Sequence, residues 1–480
     1  MNMKLHLKNL VDQVIQDDDY NPILDTDSYK LSHFKQYPKD ADGYFGYVES
    51  RGGEYAETVF FGLQYFLKKY LMKRVTMEHV YEAEQFALLH GEPFNREGWE
   101  YIVHEHNGKM PIKIKAVPEG TPVSTHNILV SIESTDEKVF WLPSFLETQI
   151  IRAVWYPTTV ATISREVKRI ISKFHEKTDG NTDGVAFALH DFGARGVSSY
   201  ESSAIGGAAH LVNFMGSDTI AGVRTANKFY GVEGGMSGFS IPASEHSTMT
   251  SWGRNGELEA FRNMIQSYGT PGSLFACVSD SYDIFNAAGK IWGEELKDEV
   301  IQSGATLVVR PDSGDPVEVV TKLIQILDEK FGCDTNDRGY KVLRNVKIIQ
   351  GDGVNPDSIK EILESITQLG YSASNLAFGM GGALLQKLDR DTQKFALKCS
   401  AIGRDGIWSD VYKEPITDPG KNSKAGKLEL VYDTLDNEVK TIRRIQYNPS
   451  VHTLLLQTVF ENGEIKKTYT FDEVRRNAQL

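Results

Sequence analysis

The sequence predicts an α/β protein with a central parallel sheet, flanked by mixed α+β segments. Between about residues 158 and 388, short apolar runs alternate with amphipathic helical stretches, the pattern of parallel strands joined by crossover helices. Residues 1–157 and 389–480 mix helical and strand-like patterns without that regularity. A chain of 480 residues with 40% hydrophobic and 24% charged residues can bury a full core of this kind.

The first segment, residues 1–157, predicts an α+β layer. Helical spacing is found at Glu57–Lys73 and Met77–Leu89. Alternating residues at Ile112–Val117 predict a strand, and Pro118–Gly120 predicts the turn that ends it.

The central segment, residues 158–388, predicts six strands with helices between them. The strand candidates are Phe187–His190, Gly238–Pro242, Ser273–Val278, Ala305–Arg310, Val346–Gln350 and Asn375–Gly379. The helix candidates are Ser199–Phe214, Ser247–Ser267, Tyr282–Gln302, Pro316–Phe331 and Pro356–Leu369. Asp315 and Asn355 each precede a proline, which marks a capped helix start.

The last segment, residues 389–480, predicts short strands at Lys394–Cys399 and Val451–Gln457. It is too small and open to be an independent domain. We therefore expect it to pack against the first segment, so that the two together form one discontinuous α+β domain.

Charge and composition exclude several classes of protein. A net charge of -13 and a pI near 5.5 predict that the protein does not bind nucleic acid, and no apolar stretch is long enough for a membrane helix. The three cysteines, Cys277, Cys333 and Cys399, exclude a disulfide framework and fit a reducing compartment. Residues 1–20 lack the uninterrupted apolar core of a secretory signal. We expect a cytoplasmic enzyme.

Charged or glycine-rich residues follow all six predicted strands. They are His190–Arg195, Glu245–His246, Ser279–Asp280, Arg310–Asp312, Gly351–Asp352 and Gly379–Gly382. The carboxyl ends of parallel strands share one edge, where α/β proteins bind ligands. One such end is equally well explained as a turn, but six in succession favour a binding site.

The residue types at these ends indicate the ligand. Backbone N–H groups of Gly379–Gly382, at a helix start, suit a phosphate. Carboxylates suit sugar hydroxyls or magnesium, and arginines suit phosphate oxygens. The carboxylates are Asp280, Asp312 and Asp352, and the arginines are Arg195, Arg310 and Arg390. Together they predict a phosphorylated sugar with more than one phosphate group.

Two further side chains have alternative interpretations. His246 could be a capping or core histidine, but its position favours an imidazole that accepts a phosphoryl group, with the adjacent Glu245 fixing its tautomer. Phe192 is equally a stacking platform for a flat ring or a core residue.

These residues lie in motifs that resemble the nicotinamide phosphoribosyltransferase family, over almost the whole chain. The motifs are Thr26–Lys30, His33–Pro38, Glu57–Phe60, Lys115–Gly120, His190–Gly193, Arg195–Ser199, Ala209–Phe214, Val278–Asp283, Arg310–Gly314, Gln350–Val354, Leu384–Leu388 and Arg476–Leu480. The resemblance implies the type II phosphoribosyltransferase fold, an incomplete α/β barrel with an α+β domain. It also implies a head-to-tail homodimer with shared active sites.

The implied reaction joins nicotinamide to phosphoribosyl pyrophosphate, giving nicotinamide mononucleotide and pyrophosphate in NAD salvage. Nicotinamide would lie between Phe192 and Tyr29 of the partner subunit. Asp218 and Arg310 would bond its carboxamide. Mg²⁺ is the implied metal ion, its ligands are unknown, and ATP is the implied phosphoryl donor to His246, which would stimulate synthesis.

The resemblance also implies which residues hold the phosphoribosyl group and the pyrophosphate. They are Asp312, Gly351 and Asp352 for the ribose; Gly381 and Gly382, with Arg390 and Lys398 of the partner subunit, for the 5′-phosphate; and Arg195 and His246, with Arg51, Lys413 and Lys421 of the partner subunit, for pyrophosphate. The residues expected to carry the chemistry are His246, Asp280, Arg310 and Asp312. Ala276 and Ala396 stand where the family often has serine.

Three rival functions remain to be tested. Nicotinate phosphoribosyltransferase shares the fold, but a carboxylate at Asp218 would repel the carboxylate of nicotinic acid. A non-catalytic interaction protein is disfavoured because every charged site position is retained. A sugar-phosphate lyase or isomerase would often need a lysine at a strand end, and none of the six ends in lysine.

Overall fold

A computed structural model describes residues 20–417 and 422–479 of the chain. Lys421 and residues 1–19, on which two of the sequence predictions depend, lie outside the described residues.

The described strands are β1 Ala41–Ser50, β2 Glu57–Val59, β3 Ile112–Ala116, β4 Pro122–Ser124, β5 Ile128–Ser134, β6 Leu189–Asp191, β7 Gly216–Ser217, β8 Leu274–Val278, β9 Thr306–Arg310, β10 Cys333–Thr335, β11 Lys341–Leu343, β12 Val346–Gln350, β13 Leu376–Met380, β14 Phe395–Arg404, β15 Ile407–Asp410, β16 Leu428–Asp433, β17 Glu438–Arg443, β18 His452–Leu454, β19 Gln457–Glu461 and β20 Glu464–Ile465.

The described α-helices are Leu63–Phe66, Met77–His90, Arg96–Glu105, Leu142–Phe145, Glu147–Thr178, Tyr200–His210, Ile220–Phe229, His246–Thr250, Glu257–Tyr268, Ile284–Asn286, Lys297–Ser303, Pro316–Phe331, Pro356–Gln368, Gly382–Leu385 and Phe471–Asn477. Wider π-type turns occupy Leu67–Leu71 and Ala287–Glu295, and a 3₁₀ helix occupies Ser28–Lys35. In the described ranges, no helix is both long and apolar enough to cross a bilayer.

The central sheet is parallel throughout, in the order β7-β6-β13-β12-β9-β8. Its strands are continuous apolar runs, such as Leu307–Val309 in β9, because they are buried on both faces. Isolated bridges from Gly216 to Phe239 and from Ala243 to Ala276 connect the two edge strands through the segment between them. The expected incomplete α/β barrel is confirmed, but the predicted strand Gly238–Pro242 contributes one of these bridges and is not a regular strand.

The second large sheet has the order β15-β14-β1-β5-β3-β19-β20 and is antiparallel. Strand β14, from the end of the chain, pairs with β1, from its beginning, in a register that runs to Ser50 opposite Phe395. The α+β domain is therefore built from both terminal segments, as the fold class predicted.

The described residues form two large hydrophobic cores, one in and around the barrel and one in the α+β part. The helix Glu147–Thr178 contributes to both, with Val154 in the α+β core and Val160 in the barrel core. The segment boundary expected at 157/158 therefore falls inside a continuous helix. The Thr158 hydroxyl accepts the backbone N–H of Phe61 at 3.2 Å, which ties this helix to the first segment.

The helix starts follow their sequence signals. The Asp315 carboxylate accepts the N–H of Glu318 at 2.9 Å, and the Asn355 side chain accepts that of Ser358 at 3.0 Å. The prediction of a helix from Glu57 is wrong, because β2 pairs with β4 there. The helix begins only after Gly62, whose φ of 106° is left-handed.

Two predicted helices are interrupted. Ser247–Ser267 divides into His246–Thr250 and Glu257–Tyr268, separated by Gly253 with a φ of 72°. Tyr282–Gln302 contains the wider turns of Ala287–Glu295. Periodicity detected the helical character of both stretches, but not these local breaks.

Candidate functional site

The carboxyl ends of the barrel strands bring most of the predicted residues to one edge. In the pairing of β8 with β9, Val278 lies opposite Arg310, and the N–H of Ser279 donates to the Arg310 carbonyl at 3.0 Å. The Asp280 and Asp312 carboxylates, which follow these two strands, therefore lie side by side. The backbone N–H of Asp312 donates to Asp280 Oδ2 at 3.1 Å.

His246 forms a cluster with these two carboxylates. Its Nε2 lies 2.9 Å from Asp280 Oδ1, and its Nδ1 lies 3.8 Å from Asp312 Oδ2. The His246 side chain is 45% exposed, whereas Asp280 is only 4% exposed. Asp280 also accepts the Ser313 hydroxyl at 2.5 Å. The cluster therefore presents an accessible imidazole held by a buried acid.

The geometry selects one tautomer of His246. An ionised carboxylate can only accept a hydrogen bond, so Nε2 carries the proton toward Asp280 and Nδ1 keeps its lone pair. The hypothesis that Glu245 fixes the tautomer is wrong. Glu245 caps the helix His246–Thr250 and bonds to Thr248 and Ser247 instead.

A cavity of about 350 Å³ runs through the barrel beside this cluster. At the carboxyl ends of the strands it is lined by Phe192, Asp218, Ser240 and Arg310. The Ser240 hydroxyl donates to Asp218 Oδ1 at 2.6 Å. The buried Nε of Arg310 has no hydrogen-bond partner among the described residues. The Asp218 carboxylate, a hydrogen-bond acceptor, and the Arg310 guanidinium, a donor, therefore line the same cavity.

Phe192 forms one wall of the cavity. It packs with a small apolar cluster made of Ala276, Val308, Ile349, Ile241 and Ala377. A Cβ on Gly379 would overlap the Phe192 ring, so the glycine there makes room for it. Phe192 is thus packed on one side and borders open space on the other, as a stacking platform requires.

The predicted phosphate turn follows β13. Gly381 precedes the short helix Gly382–Leu385, and a Cβ on Gly382 would meet nothing within 4 Å. A Cβ on Gly196, next to Arg195, would lie 3.8 Å from the Gly382 backbone. The Arg195 turn and the glycine turn are therefore neighbours. Asp352 is exposed after β12, and a Cβ on Gly351 would lie 3.3 Å from Asp312 Oδ1.

The predicted basic residues of the α+β part form a second group. Burial lowers the pKa of Lys398; the charge of Glu147 opposes that effect, and the charges of Arg51, Lys413 and Arg390 add to it. The Arg51 Nε is also buried without a hydrogen-bond partner in the described part of the chain. In an acidic protein, this group of cations indicates a site for an anion.

The structure does not join the basic group to the barrel site. Across residues 20–417 and 422–479, no hydrogen bond or ion pair connects Arg51, Arg390, Lys398 or Lys413 with Phe192 or with the Asp280 cluster. Tyr29, on the 3₁₀ helix Ser28–Lys35, is 54% exposed and contacts His33 with ring centroids 4.8 Å apart.

Sequence reasoning gave no role to three residues beside the cavity. His190 and Asp191 were part of a strand end only, and Ser240 was not singled out. Burial lowers the pKa of His190, opposed by the charge of Asp218, so its imidazole is neutral near pH 7. Burial raises the pKa of Asp191 to about 7. In the sequence, the positions of His190 and Asp191 next to Phe192 could have indicated a role at the ring site.

The described residues contain no group of three or more histidine, cysteine, aspartate or glutamate side chains able to hold a metal ion. Magnesium commonly binds through one or two carboxylates together with substrate phosphates. Asp312 and Asp352 are accessible at the strand ends and fit that arrangement.

Sequence comparisons find relatives across almost the whole chain. The model of the nicotinate phosphoribosyltransferase (NAPRTase) family matches residues 187–464, and that of the nicotinamide phosphoribosyltransferase N-terminal domain matches residues 21–114. The nicotinamide phosphoribosyltransferase of Xanthomonas campestris pv. campestris is 53% identical over 461 residues, 95% of this chain and 98% of that protein. The Acinetobacter baylyi enzyme of the same name is 31% identical, covering 95% and 96%.

Solved structures support the fold. The nicotinate-nucleotide pyrophosphorylase of Pyrococcus furiosus superposes with a TM-score of 0.60 at 15% identity, covering 96% of each chain. Human nicotinic acid phosphoribosyltransferase gives a TM-score of 0.54 at 16% identity, covering 95% of this chain and 93% of that one. At these identities the likeness concerns architecture alone.

Proposed function

The chain belongs to the nicotinate phosphoribosyltransferase family and is a pentosyltransferase, and we propose that it transfers the phosphoribosyl group of phosphoribosyl pyrophosphate to nicotinamide. The products are nicotinamide mononucleotide and pyrophosphate, in NAD salvage. The two relatives named nicotinamide phosphoribosyltransferase each match 95% of this chain.

The observation that carries the choice of nicotinamide is the pairing of Asp218 with Arg310 at one cavity. A carboxamide offers two N–H donors and one acceptor oxygen. Asp218 accepts from the amide nitrogen, and Arg310 donates to the amide oxygen. Nicotinic acid would place a second carboxylate against Asp218, and the two like charges would repel each other.

The chemistry asks little of a general base. The ring nitrogen of nicotinamide attacks C1 of the ribose, forming the N–C bond, while the bond from C1 to pyrophosphate breaks and that group leaves as the anion. No proton is transferred. The protein contributes by orienting the two reactants and by stabilising the charge of the leaving group. Phe192 orients the ring, and Asp312, Gly351 and Asp352 hold the ribose.

The phosphates of the substrate need several hydrogen-bond donors and cations. Arg195 and the turn at Gly381 and Gly382 provide one part. We assign the other part to the basic group of a second subunit, comprising Arg51, Arg390, Lys398, Lys413 and Lys421, with Tyr29 of the partner subunit covering the ring. Two points support this proposal: the family resemblance, and the finding that no hydrogen bond or ion pair within residues 20–417 and 422–479 joins Arg51, Arg390, Lys398 or Lys413 to the barrel site. It makes the active unit a homodimer.

His246 is proposed to accept a phosphoryl group from ATP. Its Nδ1 carries the free lone pair, since Nε2 donates to Asp280. The bond from Nδ1 to the γ-phosphorus forms while the bond from that phosphorus to ADP breaks. Mg²⁺, when bound, neutralises phosphate charge, and Asp312 and Asp352 are the side chains suited to hold it. The phosphohistidine places negative charge beside Asp312, which is proposed to hold the ribose. Phosphorylation by ATP would thereby change the binding of the phosphoribosyl substrate.

The test is a turnover assay with purified protein, phosphoribosyl pyrophosphate, Mg²⁺, and either nicotinamide or nicotinic acid, with and without ATP. We expect nicotinamide mononucleotide, formed faster with ATP. Nicotinic acid mononucleotide as the main product would make the protein a nicotinate phosphoribosyltransferase. If neither nicotinamide nor nicotinic acid gave a mononucleotide, both phosphoribosyltransferase activities would be rejected.

Asp218→Asn tests the basis of the choice. The variant removes the negative charge but keeps the side-chain volume, so kcat/KM for nicotinamide should fall about 10-fold or more, whereas that for nicotinic acid should not fall. The KM for phosphoribosyl pyrophosphate serves as the control and should not change. An unchanged ratio of the two kcat/KM values would reject the role of Asp218.

A further inference from the structure

Asp191 is the last residue of β6, between His190 and Phe192, and is fully buried. Its Oδ1 accepts the backbone N–H of Gly193 at 2.7 Å. Its main-chain carbonyl accepts the N–H of Asp218 at 3.0 Å. One residue therefore contacts both segments that border the nicotinamide end of the cavity.

The turn that carries Phe192 is held at both ends. The N–H of Phe192 donates to the Met380 carbonyl at 3.0 Å, which ties it to β13. The next N–H, of Gly193, is held by the Asp191 carboxyl group. Without that acceptor, the buried Gly193 N–H would be unpaired and the turn would be free to shift.

Burying the carboxyl group of Asp191 at this position is energetically unfavourable. Burial raises the pKa of Asp191 to about 7, the Gly193 N–H and the Thr219 hydroxyl oppose that effect, and the nearby charge of Asp218 adds to it. Its Oδ2 is buried, and no well-formed hydrogen bond to it is found among the described residues. A buried acid without a cation is disfavoured for stability alone, which indicates a functional position.

Two neighbouring glycines lie close to this carboxyl group. A Cβ on Gly193 would lie 3.0 Å from Asp191 Oδ1 and still closer to Leu385, and a Cβ on Gly207 would lie 3.2 Å from Oδ2 and still closer to Gly222 and Thr219. The carboxyl group is therefore tightly enclosed, with little room to change its position.

We propose that Asp191 is the positioning residue of the ring site, whose carboxyl group fixes the turn that sets Phe192 against the ring. It acts through Phe192 and does not touch the substrate. The inference rests on the proposed function, because it assumes that a nicotinamide ring stacks on Phe192.

The test compares Asp191→Ala with Asp191→Asn. The amide oxygen of asparagine can still accept the Gly193 N–H, so Asp191→Asn should keep the KM for nicotinamide within about threefold of wild type, whereas Asp191→Ala should raise it about 10-fold. The KM for phosphoribosyl pyrophosphate should rise less than the KM for nicotinamide in Asp191→Ala, because Arg195, two residues beyond Gly193, is only one of the groups proposed to hold the phosphates.

Asp433→Ala is a matched control. Asp433 is also buried, and its Oδ1 accepts an N–H two residues ahead, that of Leu435, at 2.8 Å. It lies on β16, outside the barrel, so its loss should leave the KM for nicotinamide unchanged. An equal rise in KM for Asp433→Ala would indicate general destabilisation and overturn the proposal.

A double substitution tests whether Asp191 acts through Phe192. Once Phe192→Ala has removed the ring, adding Asp191→Ala should raise the KM for nicotinamide by less than about twofold more. Independent, multiplying effects would overturn the proposal. If Asp191→Ala does not fold, Asp191→Glu displaces the acceptor by one methylene and should raise the KM in the same way.

The two proposals fail differently. If wild-type protein does not use nicotinamide, the proposed function fails. If wild type turns over nicotinamide but Asp191→Ala binds it as tightly as wild type does in calorimetric titration, the inference fails and the function stands.

Discussion

Replacing Asp280 with asparagine should separate ATP coupling from nucleotide synthesis. Asp280 is nearly buried and accepts His246 Nε2, the Asp312 N–H and the Ser313 hydroxyl. An asparagine oxygen can replace the carboxylate toward Asp312 and Ser313. Its NH₂ group must then face His246, which moves the ring proton to Nδ1 and removes the lone pair that would attack phosphorus.

The magnitude follows from the bond that is lost. A hydrogen bond to a charged group contributes about 1.5–3 kcal/mol, which corresponds to about 10- to 150-fold in rate. The rate of His246 phosphorylation should fall by that factor. Synthesis without ATP should fall by a smaller factor than phosphorylation does, since the variant keeps the volume of the side chain and its contact with Asp312.

The assay measures phosphate incorporated into the protein from γ-labelled ATP, alongside nicotinamide mononucleotide formed with and without ATP. Glu245→Gln is the matched control, because Glu245 adjoins His246 in the chain but caps the helix and hydrogen-bonds with Ser247 and Thr248. The control should keep its labelling. Normal labelling of Asp280→Asn would refute the assignment of the tautomer to Asp280.

Three further predictions concern the ring, the subunits and pH. Phe192→Ala should raise the KM for nicotinamide about 10- to 100-fold in steady-state kinetics, because stacking on an aromatic ring contributes about 1–3 kcal/mol; an unchanged KM would exclude stacking. If active sites are shared between subunits, co-expressed Asp312→Ala and Lys398→Ala chains, each inactive alone, should recover about one quarter of wild-type activity. Half of the dimers are then mixed, and each mixed dimer has one intact site out of two. No recovery would indicate a site within one chain. Burial raises the pKa of Asp191 to about 7, so the folded chain keeps a proton that the unfolded chain releases above pH ~4. The free energy of unfolding therefore decreases as the pH rises from about 4 toward 7. The unfolding free energy of wild type relative to Asp191→Asn, from denaturant titration, should fall by about 2–3 kcal/mol between pH 5 and pH 7, and a constant difference would contradict this.

The sequence was most informative where local chemistry decides structure. The caps at Asp315 and Asn355 and the buried strands such as β9 were predicted correctly because their signals lie within a few residues. The expectation that strand ends converge also held, because parallel strands have one carboxyl edge. That geometry brought Asp280 and Asp312 together without further information.

Contacts between distant segments limited the rest. The acid that orients His246 is Asp280, 34 residues away, and not the adjacent Glu245. The segment boundary was placed between residues 157 and 158, yet the helix Glu147–Thr178 continues through Pro157. Gly62 packs so closely on Pro157 that a side chain there would overlap the ring. Such tertiary packing outweighs the local preference of proline.

The basic group shows a different limit. Arg390 and Lys398 were assigned to the partner subunit by resemblance, since one chain's sequence cannot say which residues act across an interface. The described structure adds that Arg51, Arg390, Lys398 and Lys413 interact electrostatically as a group. Such a group suits the proposed shared site, in which Arg390 and Lys398 hold the 5′-phosphate while Arg51 and Lys413 hold pyrophosphate.

The most direct measurement is a competition between equimolar nicotinamide and nicotinic acid for limiting phosphoribosyl pyrophosphate in one reaction, with the mononucleotides resolved by mass. Since Asp218 and Arg310 together match a carboxamide, nicotinamide mononucleotide should predominate by at least about 10-fold. A product mixture dominated by nicotinic acid mononucleotide would contradict the account.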